Sequence, residues 1–492
     1  QAFNSTVAVA ICMGQQRLNA FLLAKERVRR RFKGLMVPFI LGCALFMQML
    51  DATVLAIALP AMALSFDVPV VQLNLAITAY LLAAAVFVPI SGWAADRWGA
   101  RRVFLAAIVV FTASSAGCAL ASSMNDLVAW RVVQGIGGAM MVPVGRLILL
   151  RTTPKQELLR AVAFLSMPAL LGPMLGPPVG GFLVTFASWH WIFLMNLPIG
   201  LIGIYMTMRY VPASSNQITR RPLDAIGFFL SAICLATLVA TFEMLGQGRL
   251  GLDWVAGLLM IGLGSGWLYK WHSARCANPI IDLELLRISS FRESVIGGNL
   301  CRFAIGATPF LLAILLQVGF GMTPLSAGLI TFASAAGALL MKFTARPILQ
   351  RWGYRRVLMS NAVLTGAALA ACATFSEQTP VAIMIGVLLI GGFFRSLQFT
   401  AVNTLGFADI PADRMSSASG FSAMAQQLSI SLGVGIAASA INISMKVRGA
   451  NALTSVDLMA GFVTIGLFCA LSALSFRRLA PTAGESLQNQ TP

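Results

Sequence analysis

RWGARRVF at residues 97–104 returns as RWGYRRVL at residues 351–358, 254 positions later, with six of the eight letters kept. Only Ala100 against Tyr354 and Phe104 against Leu358 differ. The same offset carries Gly137-Gly138 onto Gly391-Gly392, so the repetition reaches past the basic octapeptide into an apolar segment downstream of it. The chain repeats an architecture, and each basic copy marks where an apolar run breaks.

Composition says what those runs are. Of 492 residues, 58% are hydrophobic and only 11% charged, against about 25% charged in a soluble domain. Runs of about 20 apolar residues cross a bilayer as helices, so the sequence reads as an all-α polytopic membrane protein with the lipid bilayer as its solvent. A net charge of +18 could suit a nucleic-acid binder. Here the Lys and Arg are scattered through short gaps between apolar runs and form no single basic face, so no nucleic-acid partner is expected. The eight cysteines are dispersed without a CxxC pair, and the histidines are His190 and His272. That pattern supports neither a zinc site nor a disulfide framework, and no metal or cofactor is expected. No GxxxxGK[ST] loop is present to cradle ATP, which leaves an ion gradient or the substrate's own gradient as the energy source.

Fourteen spans are predicted, at 35–62, 72–95, 102–122, 127–149, 160–186, 191–210, 223–246, 254–271, 293–317, 324–344, 356–376, 380–405, 416–444 and 457–477. Basic residues fall in alternate gaps: Arg29 to Lys33 before the first span, Arg97, Arg101 and Arg102 after the second, Arg151, Lys155 and Arg160 after the fourth. Arg220 and Arg221, Arg275 to Arg292, Arg351 to Arg356, Arg414, and Arg477 with Arg478 continue the alternation. The opposite gaps hold only Arg249, Lys446 and Arg448. Positive charge marks the cytoplasmic side, so both termini are predicted inside, in a multi-pass plasma-membrane protein (the inner membrane of a Gram-negative cell). Residues 1–33 read as a cytoplasmic tail and not a signal peptide, because their basic cluster follows the weakly apolar stretch.

Both octapeptides then sit in inside gaps, each between a descending and an ascending helix. The halves are parallel repeats about an axis along the membrane normal, a common transporter plan. Six spans with their loops occupy residues 34–210, so an offset of 254 leaves room for two inserted helices. The predicted order is a six-helix bundle (34–210), two inserted helices with linkers (211–278), a second six-helix bundle (279–478) and a cytoplasmic tail (479–492).

Several stretches carry a family likeness. GWAADRWGARRVF (92–104) resembles the loop signature of the major facilitator superfamily. LDATVLAIALP (50–60), RVVQGIGGAMMVPVGR (131–146) and GPMLGPPVGG (172–181) resemble the first-, fourth- and fifth-span motifs of its fourteen-span drug:proton antiporters, the EmrB/QacA type, with MdtD-like members nearest. SWHWIFLMNLPIG (188–200) and LQVGFGMTPLSAGL (316–329) extend the likeness across roughly residues 34–478. The resemblance implies a major facilitator fold of 14 transmembrane helices as 6+2+6 and proton-coupled export of drugs or other small compounds. The chain departs from the family pattern at Ala56, where Asn is usual, at His190, where Arg is usual, and at Gln350, where the first loop copy has Asp96.

Asp51 lies well inside the first span, where a lone charge is costly and usually functional. Arg131 in the fourth span falls in the same outer half. The pair either holds Asp51 near the point of binding or releasing a proton, or is a static ion pair fixing helix packing. In the loop, Gly92, Asp96, Arg97, Gly99, Arg101 and Arg102 form the gating signature. By resemblance, Asp96 caps the start of the thirteenth span near Ser416-Ser417, and Arg101 and Arg102 pair across that seam; the alternative is a solvated basic loop. Gly172, Gly176, Gly180 and Gly181 allow close backbone approach, while Pro177 and its neighbouring prolines bend the helix. Together they suit a pliable helix sealing against its neighbour, or ordinary small-residue packing. Glu243, on an inserted helix off the central path, reads as interfacial or structural.

Arg302 and Arg395 also lie inside spans, with Gln48 at the level of Arg302 under the repeat offset and Gln398 one turn beyond Arg395. Three guanidiniums would then share one carboxylate, Asp51, in a cavity favouring anionic or neutral amphiphiles, since an arginine fork grips carboxylate or phosphate at two points. Alternatively the two arginines tie helices together through backbone carbonyls. The leading reading is a secondary transporter whose partners are a small-molecule substrate and protons. A carboxylate importer or exchanger comes second, and a membrane enzyme or sensor last, since no nucleophile–base pair or soluble domain is visible. The sequence names no periplasmic adaptor.

Overall fold

The computed structural model describes residues 36–153, 158–212, 222–247, 252–276, 278–411, 414–449, 453–480 and 483. The tail at 1–33 and most of that at 479–492 lie outside the described residues, as do Lys155, Arg220, Arg221 and Arg249.

Every regular element described is helical. The first bundle runs α1 (Met36–Phe66), α2 (Asn74–Phe87), α3 (Ile90–Trp98), α4 (Ala100–Ala119), α5 (Met124–Thr152), α6 (Leu158–Phe186), α7 (Trp191–Leu194) and α8 (Asn196–Tyr210). Then come α9 (Ala225–Gln247), α10 (Leu252–Ser273), α11 (Ser289–Ile314), α12 (Pro324–Trp352), α13 (Tyr354–Ala373), α14 (Val381–Gly406), α15 (Met415–Val447) and α16 (Ser455–Phe476). Among the described residues 12 helical segments are long and apolar enough to cross a membrane; the protein is a multi-pass membrane protein. The helices α6, with an apolar stretch at Leu171–Phe186, and α10 stand outside that group.

Boundaries moved for physical reasons. The predicted span at 72–95 is two helices, since α2 ends at Phe87, capped by Val88, and Pro89, which has no N–H to give, precedes α3. The predicted span at 324–344 continues as helix to Trp352, because charges end an apolar count without ending a helix. Start signals are local: Thr323 accepts from Ser326 N with Pro324 in the first turn of α12, and Ser123 accepts from Asp126 N at the start of α5.

The repeat acquires a structural meaning. Gly99 (φ 89°) and Gly353 (φ 74°) are the junctions α3–α4 and α12–α13, in a backbone region open to glycine and strained for other residues. Two residues on, Arg101 donates to the Met208 carbonyl near the end of α8 at 2.5 Å, and Arg355 donates to the Arg477 carbonyl just past α16 at 3.0 Å. Each octapeptide thus satisfies a free carbonyl at the end of its own bundle's last helix.

The two bundles share one hydrophobic core on the side away from the octapeptides. Leu50 to Ala63 of α1, Phe303 to Leu316 of α11 and its following turn, Ala327 to Ala333 of α12 and Val434 to Ile441 of α15 belong to it. On the octapeptide side each bundle has its own core, one around Phe104, Phe111 and Met141 and another around Met341, Leu358 and Leu405. The two bundles touch there where Leu82 and Val86 of α2 pack with Phe421 and Met424 of α15 and Ala423 packs on Ala84. Hydrogen bonds between bundles cluster on the far side: a π turn at Leu315–Gly319 presents Gln317, which donates to the Ile57 carbonyl at 2.9 Å, and Leu325 N donates to Thr185 Oγ1 at 3.1 Å. Of the remaining helices, α9 packs on α15 and α2, and α10 on α9.

Candidate functional site

Asp51 and Arg131 meet. Arg131 Nη1 donates to Asp51 Oδ2 at 2.6 Å, and both side chains are 1% exposed, so the pair lies in the low-dielectric interior of the first bundle. Gln134 Nε2 and Asn196 Nδ2 donate to Asp51 Oδ1 at 3.0 and 2.9 Å. Arg131 also donates from Nε to the Ala76 carbonyl at 3.0 Å and from Nη1 to Gln134 Oε1 at 2.6 Å, and lies 4.4 Å from the centre of the Tyr80 ring. Ser115 Oγ accepts from Gln134 and Asn196 at 2.8 and 3.3 Å. One carboxylate therefore gathers α1, α2, α4, α5 and α8.

Sequence reasoning finds the two charges and misses Gln134, Asn196, Ser115 and Tyr80. Gln134 was within reach, since it follows Arg131 by three positions on one helix face, and Asn196 stands out as an amide in SWHWIFLMNLPIG. Ser115 carries no signal beyond being polar in an apolar run.

The loop signature behaves otherwise than the resemblance implies. Asp96 Oδ1 accepts from Arg151 Nη2 at 2.8 Å, with the two side chains 42% and 38% exposed; Arg151 is in the last turn of α5, in the same bundle. No side-chain hydrogen bond caps the start of α15 among the described residues. Arg101 likewise turns to α8 and not across the seam. A nearby guanidinium and a helix end of its own bundle satisfy each group first. Arg97 and Arg102 are exposed, and Gly92 has open space where a Cβ would stand.

The α6 glycines are crossing points. A Cβ would stand 2.7 Å from Met49 Cβ at Gly172, 2.0 Å from Thr53 Oγ1 at Gly176 and 3.0 Å from Val54 Cγ1 at Gly180, all on α1. At Gly181 it would lie 2.5 Å from the Pro324 carbonyl oxygen of α12, and at Gly328 of α12 it would lie 2.3 Å from that of Pro177. This helix bridges the two bundles backbone to backbone.

Arg302, Arg395 and Gln398 come together around a cavity of about 10 Å³, with Cys301, Thr365 and Phe399; that is room for about one water. Arg302 donates to Asn403 Oδ1 at 2.7 Å and Asn299 Oδ1 at 3.2 Å, while its Nε has no partner among the described residues. Arg395 donates to Ser334 Oγ. Two expectations are corrected. The three arginines do not share Asp51, because amides and a hydroxyl of the second bundle engage Arg302 and Arg395. Gln48 does not join them either: its amide lies beside Gly138, next to the Tyr80 hydroxyl, in the first bundle.

Glu243 is also not peripheral. It is 5% exposed, on the part of α9 that packs against α15, where Ser439 Oγ donates to the Phe242 carbonyl at 2.8 Å. At the other end of the inserted pair, Asp224, His272 and Cys276 bring ligand-type atoms within 4.8 Å of one another. There Asp224 accepts from Gly227 N at 2.9 Å and shares a 2.6 Å hydrogen bond with His272 Nε2, starting α9 and tying α10 to it.

A family model described as Major Facilitator Superfamily matches residues 41–268 and 295–491. A protein of Klebsiella pneumoniae (strain 342) named MdtD, for multidrug resistance, is 38% identical over 457 residues, covering 91% of this chain and 95% of that protein. Among solved structures, an auto-inhibited peptide transporter of the POT family is similar with a TM-score of 0.68 at 16% identity, over 93% of this chain and 98% of its own. A D-xylose–proton symporter is similar with a TM-score of 0.64 at 14% identity, over 91% and 98%. At such identities the structural likeness speaks for the fold, and the family match and the close relative speak for descent: the chain belongs to the Major Facilitator Superfamily.

Proposed function

We propose that the chain is a proton-coupled antiporter that exports small amphiphilic compounds, neutral or anionic, by alternating access between two six-helix bundles. The observation that carries this reading is the buried Asp51–Arg131 pair with its amide partners. Neutralising the carboxylate would leave a guanidinium without its counter-charge in a dry interior, which is costly. Proton binding at Asp51 is thereby tied to rearrangement of five helices. The name of the Klebsiella relative supports drug-like cargo.

The fourteen-span count, as 34–210, 211–278 and 279–478, gains support from α6 and α10. At 29 and 22 residues, and about 1.5 Å per residue, both are long enough for a hydrocarbon core of about 30 Å. Alternating loop charge favours cytoplasmic termini in the plasma membrane, the inner one of a Gram-negative cell. With the octapeptides inside, the shared core seals the outer side, and on the inner side the packing of α2 on α15 is what has to part. Arg302 Nε, beside Arg395 and without a partner among the described residues, supports an anionic group on the cargo in a conformation that widens this cavity beyond room for one water. It also supports a carboxylate importer or exchanger as the second reading. The test is transport of a carboxylate compound and a quaternary cation into everted vesicles under an imposed pH gradient, by wild type, Arg302→Gln and Arg395→Gln. Proton-driven carboxylate uptake weakened in both variants supports the reading. Cation transport by wild type, unchanged in both variants, removes the anionic preference, and carboxylate movement in the opposite sense makes the chain an importer.

A further inference from the structure

Glu243 is an acid in an inserted helix that the Asp51 network does not use. Its carboxylate faces Asn74 and Thr78 of α2, and neither of its oxygens has a hydrogen-bond partner among the described residues. Asn74 is 2% exposed, and its Oδ1 is likewise without a partner there. On the third side stands Gly435 of α15, where a Cβ would lie 3.7 Å from Glu243 Oε1. A buried carboxylate between three helices, two of them from opposite bundles, is therefore left without a counter-charge, with only the Asn74 amide and the Thr78 hydroxyl as polar neighbours. An ionised carboxylate is expensive in such a place, and a neutral acid far less so.

Neighbouring charge does not relieve it. Residues 70–87 contain no charged side chain, and α15 contains only Lys446, seven positions beyond Ser439. On α10, Asp253 is exposed in the first turn, while Lys270 and His272 lie in the last turn. Arg249 follows α9 outside the described residues. Asn74 has a second exposure. It lines a cavity of about 270 Å³ on the side away from the octapeptides, with Pro69, Val318, Ala438 and Asn442. Water in that cavity would reach Asn74, and Asn74 reaches Glu243.

The α2 helix joins the two acids. Its Ala76 carbonyl and Tyr80 ring hold Arg131, while Asn74 and Thr78, two positions round the helix from these, face Glu243. From the other bundle, Ser431 of α15 donates to the Thr78 carbonyl at 3.4 Å.

We propose that Glu243 is a second proton-binding site, filled from and emptied into the cavity beside Asn74, whose charge state controls the seam of α2, α9 and α15. Protonation forms one O–H bond and turns a carboxylate into a neutral acid. The neutral form is at home in the closed seam seen here, and ionisation draws water in and parts α2 from α15. Because the proton enters and leaves on one side, Glu243 gates the cycle without adding to the protons moved across. This rests on the proton-coupled reading above.

The test is infrared spectroscopy of the full-length protein in lipid, titrated with pH, for the carbonyl band of a buried protonated carboxylic acid. Wild type and Asp51→Asn should show a band that Glu243→Gln loses. Should Glu243→Gln not be recovered folded, Glu243→Asp, with the acid on a shorter arm, should move the band. A band indifferent to whichever of these substitutions is recovered, or no band in wild type at any pH, overturns the proposal. Proton-driven transport by the same proteins separates the two readings. If wild type moves no cargo under a pH gradient, coupling through Asp51 fails, while loss of the band in Glu243→Gln still establishes the proton site.

Discussion

Replacing Asp51 by Asn removes a charge and keeps a shape, and the three donors around the carboxylate set the cost. Oδ1 accepts from Gln134 and Asn196, and Oδ2 from Arg131. An amide at position 51 keeps one acceptor and turns the other corner into a donor. Asn196 Oδ1 has no partner among the described residues, so a flip of that amide offers the new donor an acceptor. Gln134 Nε2, which meets the same corner, then loses its acceptor, so one hydrogen bond goes along with the counter-charge of Arg131. Removing one partner of a buried pair costs about 3–5 kcal/mol, reduced here by the Ala76 carbonyl, Gln134 and Tyr80 around the guanidinium. Asp51→Asn combined with Arg131→Gln should therefore be more stable than the sum of the single losses, by about 3 kcal/mol of coupling. Transport should respond differently. One proton exchanged per cycle supplies about 1.4 kcal/mol per unit of pH difference, a factor of about ten in cargo accumulation. In proteoliposomes, wild type should gain that factor for each unit imposed. Asp51→Asn and the double variant should accumulate nothing uphill, while Asp51→Asn still exchanges cargo for cargo. Uphill, pH-driven accumulation by Asp51→Asn at near wild-type rates would refute Asp51 as the proton carrier, and strictly additive thermal losses would refute the ion-pair energetics.

Reporter fusions after residues 213, 249 and 278 should read inside, outside, inside; inside at all three would eliminate the inserted pair as crossings. Arg101→Ala and Arg355→Ala should each cost about 0.5–1 kcal/mol in thermal stability, the worth of a cation at a helix C-terminus, and to a similar degree. A large loss in only one would show that the two octapeptides serve different ends. Gly328→Val puts a branched side chain where even a Cβ would lie 2.3 Å from the Pro177 carbonyl oxygen. A backbone atom cannot yield cheaply, so outer closure should weaken by about 1–3 kcal/mol, measured as faster labelling of a cysteine placed at Val318; labelling at the wild-type rate would show that the crossing is slack.

Much of this fold is written in periodicity and charge. The predicted apolar runs fall on helical segments, 12 of which among the described residues are long and apolar enough to cross a membrane, and the basic octapeptides fall at matching corners, because both signals are local and bilayer physics reads them directly. The site is legible only where a charge betrays itself. Asp51 and Arg131 stand out in an apolar run, whereas Ser115 and Asn196 become partners through packing that no local pattern encodes. The departures share a cause. Asp96 reads toward a partner in the other bundle while Arg151 lies nearer, and the offset that pairs Gln48 with Arg302 equates positions in two bundles without bringing them together. Glu243 reads as marginal because its helix is inserted, and only packing shows that α9 rests on both α2 and α15.

The contact of Gly181 with Pro324 and of Gly328 with Pro177 has a mechanical side. Two backbone-on-backbone touches a few residues apart, near one end of α12, make a fulcrum. The lever is long, since 29 residues at about 1.5 Å each reach roughly 43 Å. A rock of roughly 10° about that point would carry the distal tip by about 7 Å on the same helix geometry, while the touching atoms scarcely part. Stroke is concentrated at the end bearing Arg351, and the wear of the motion falls on two glycines.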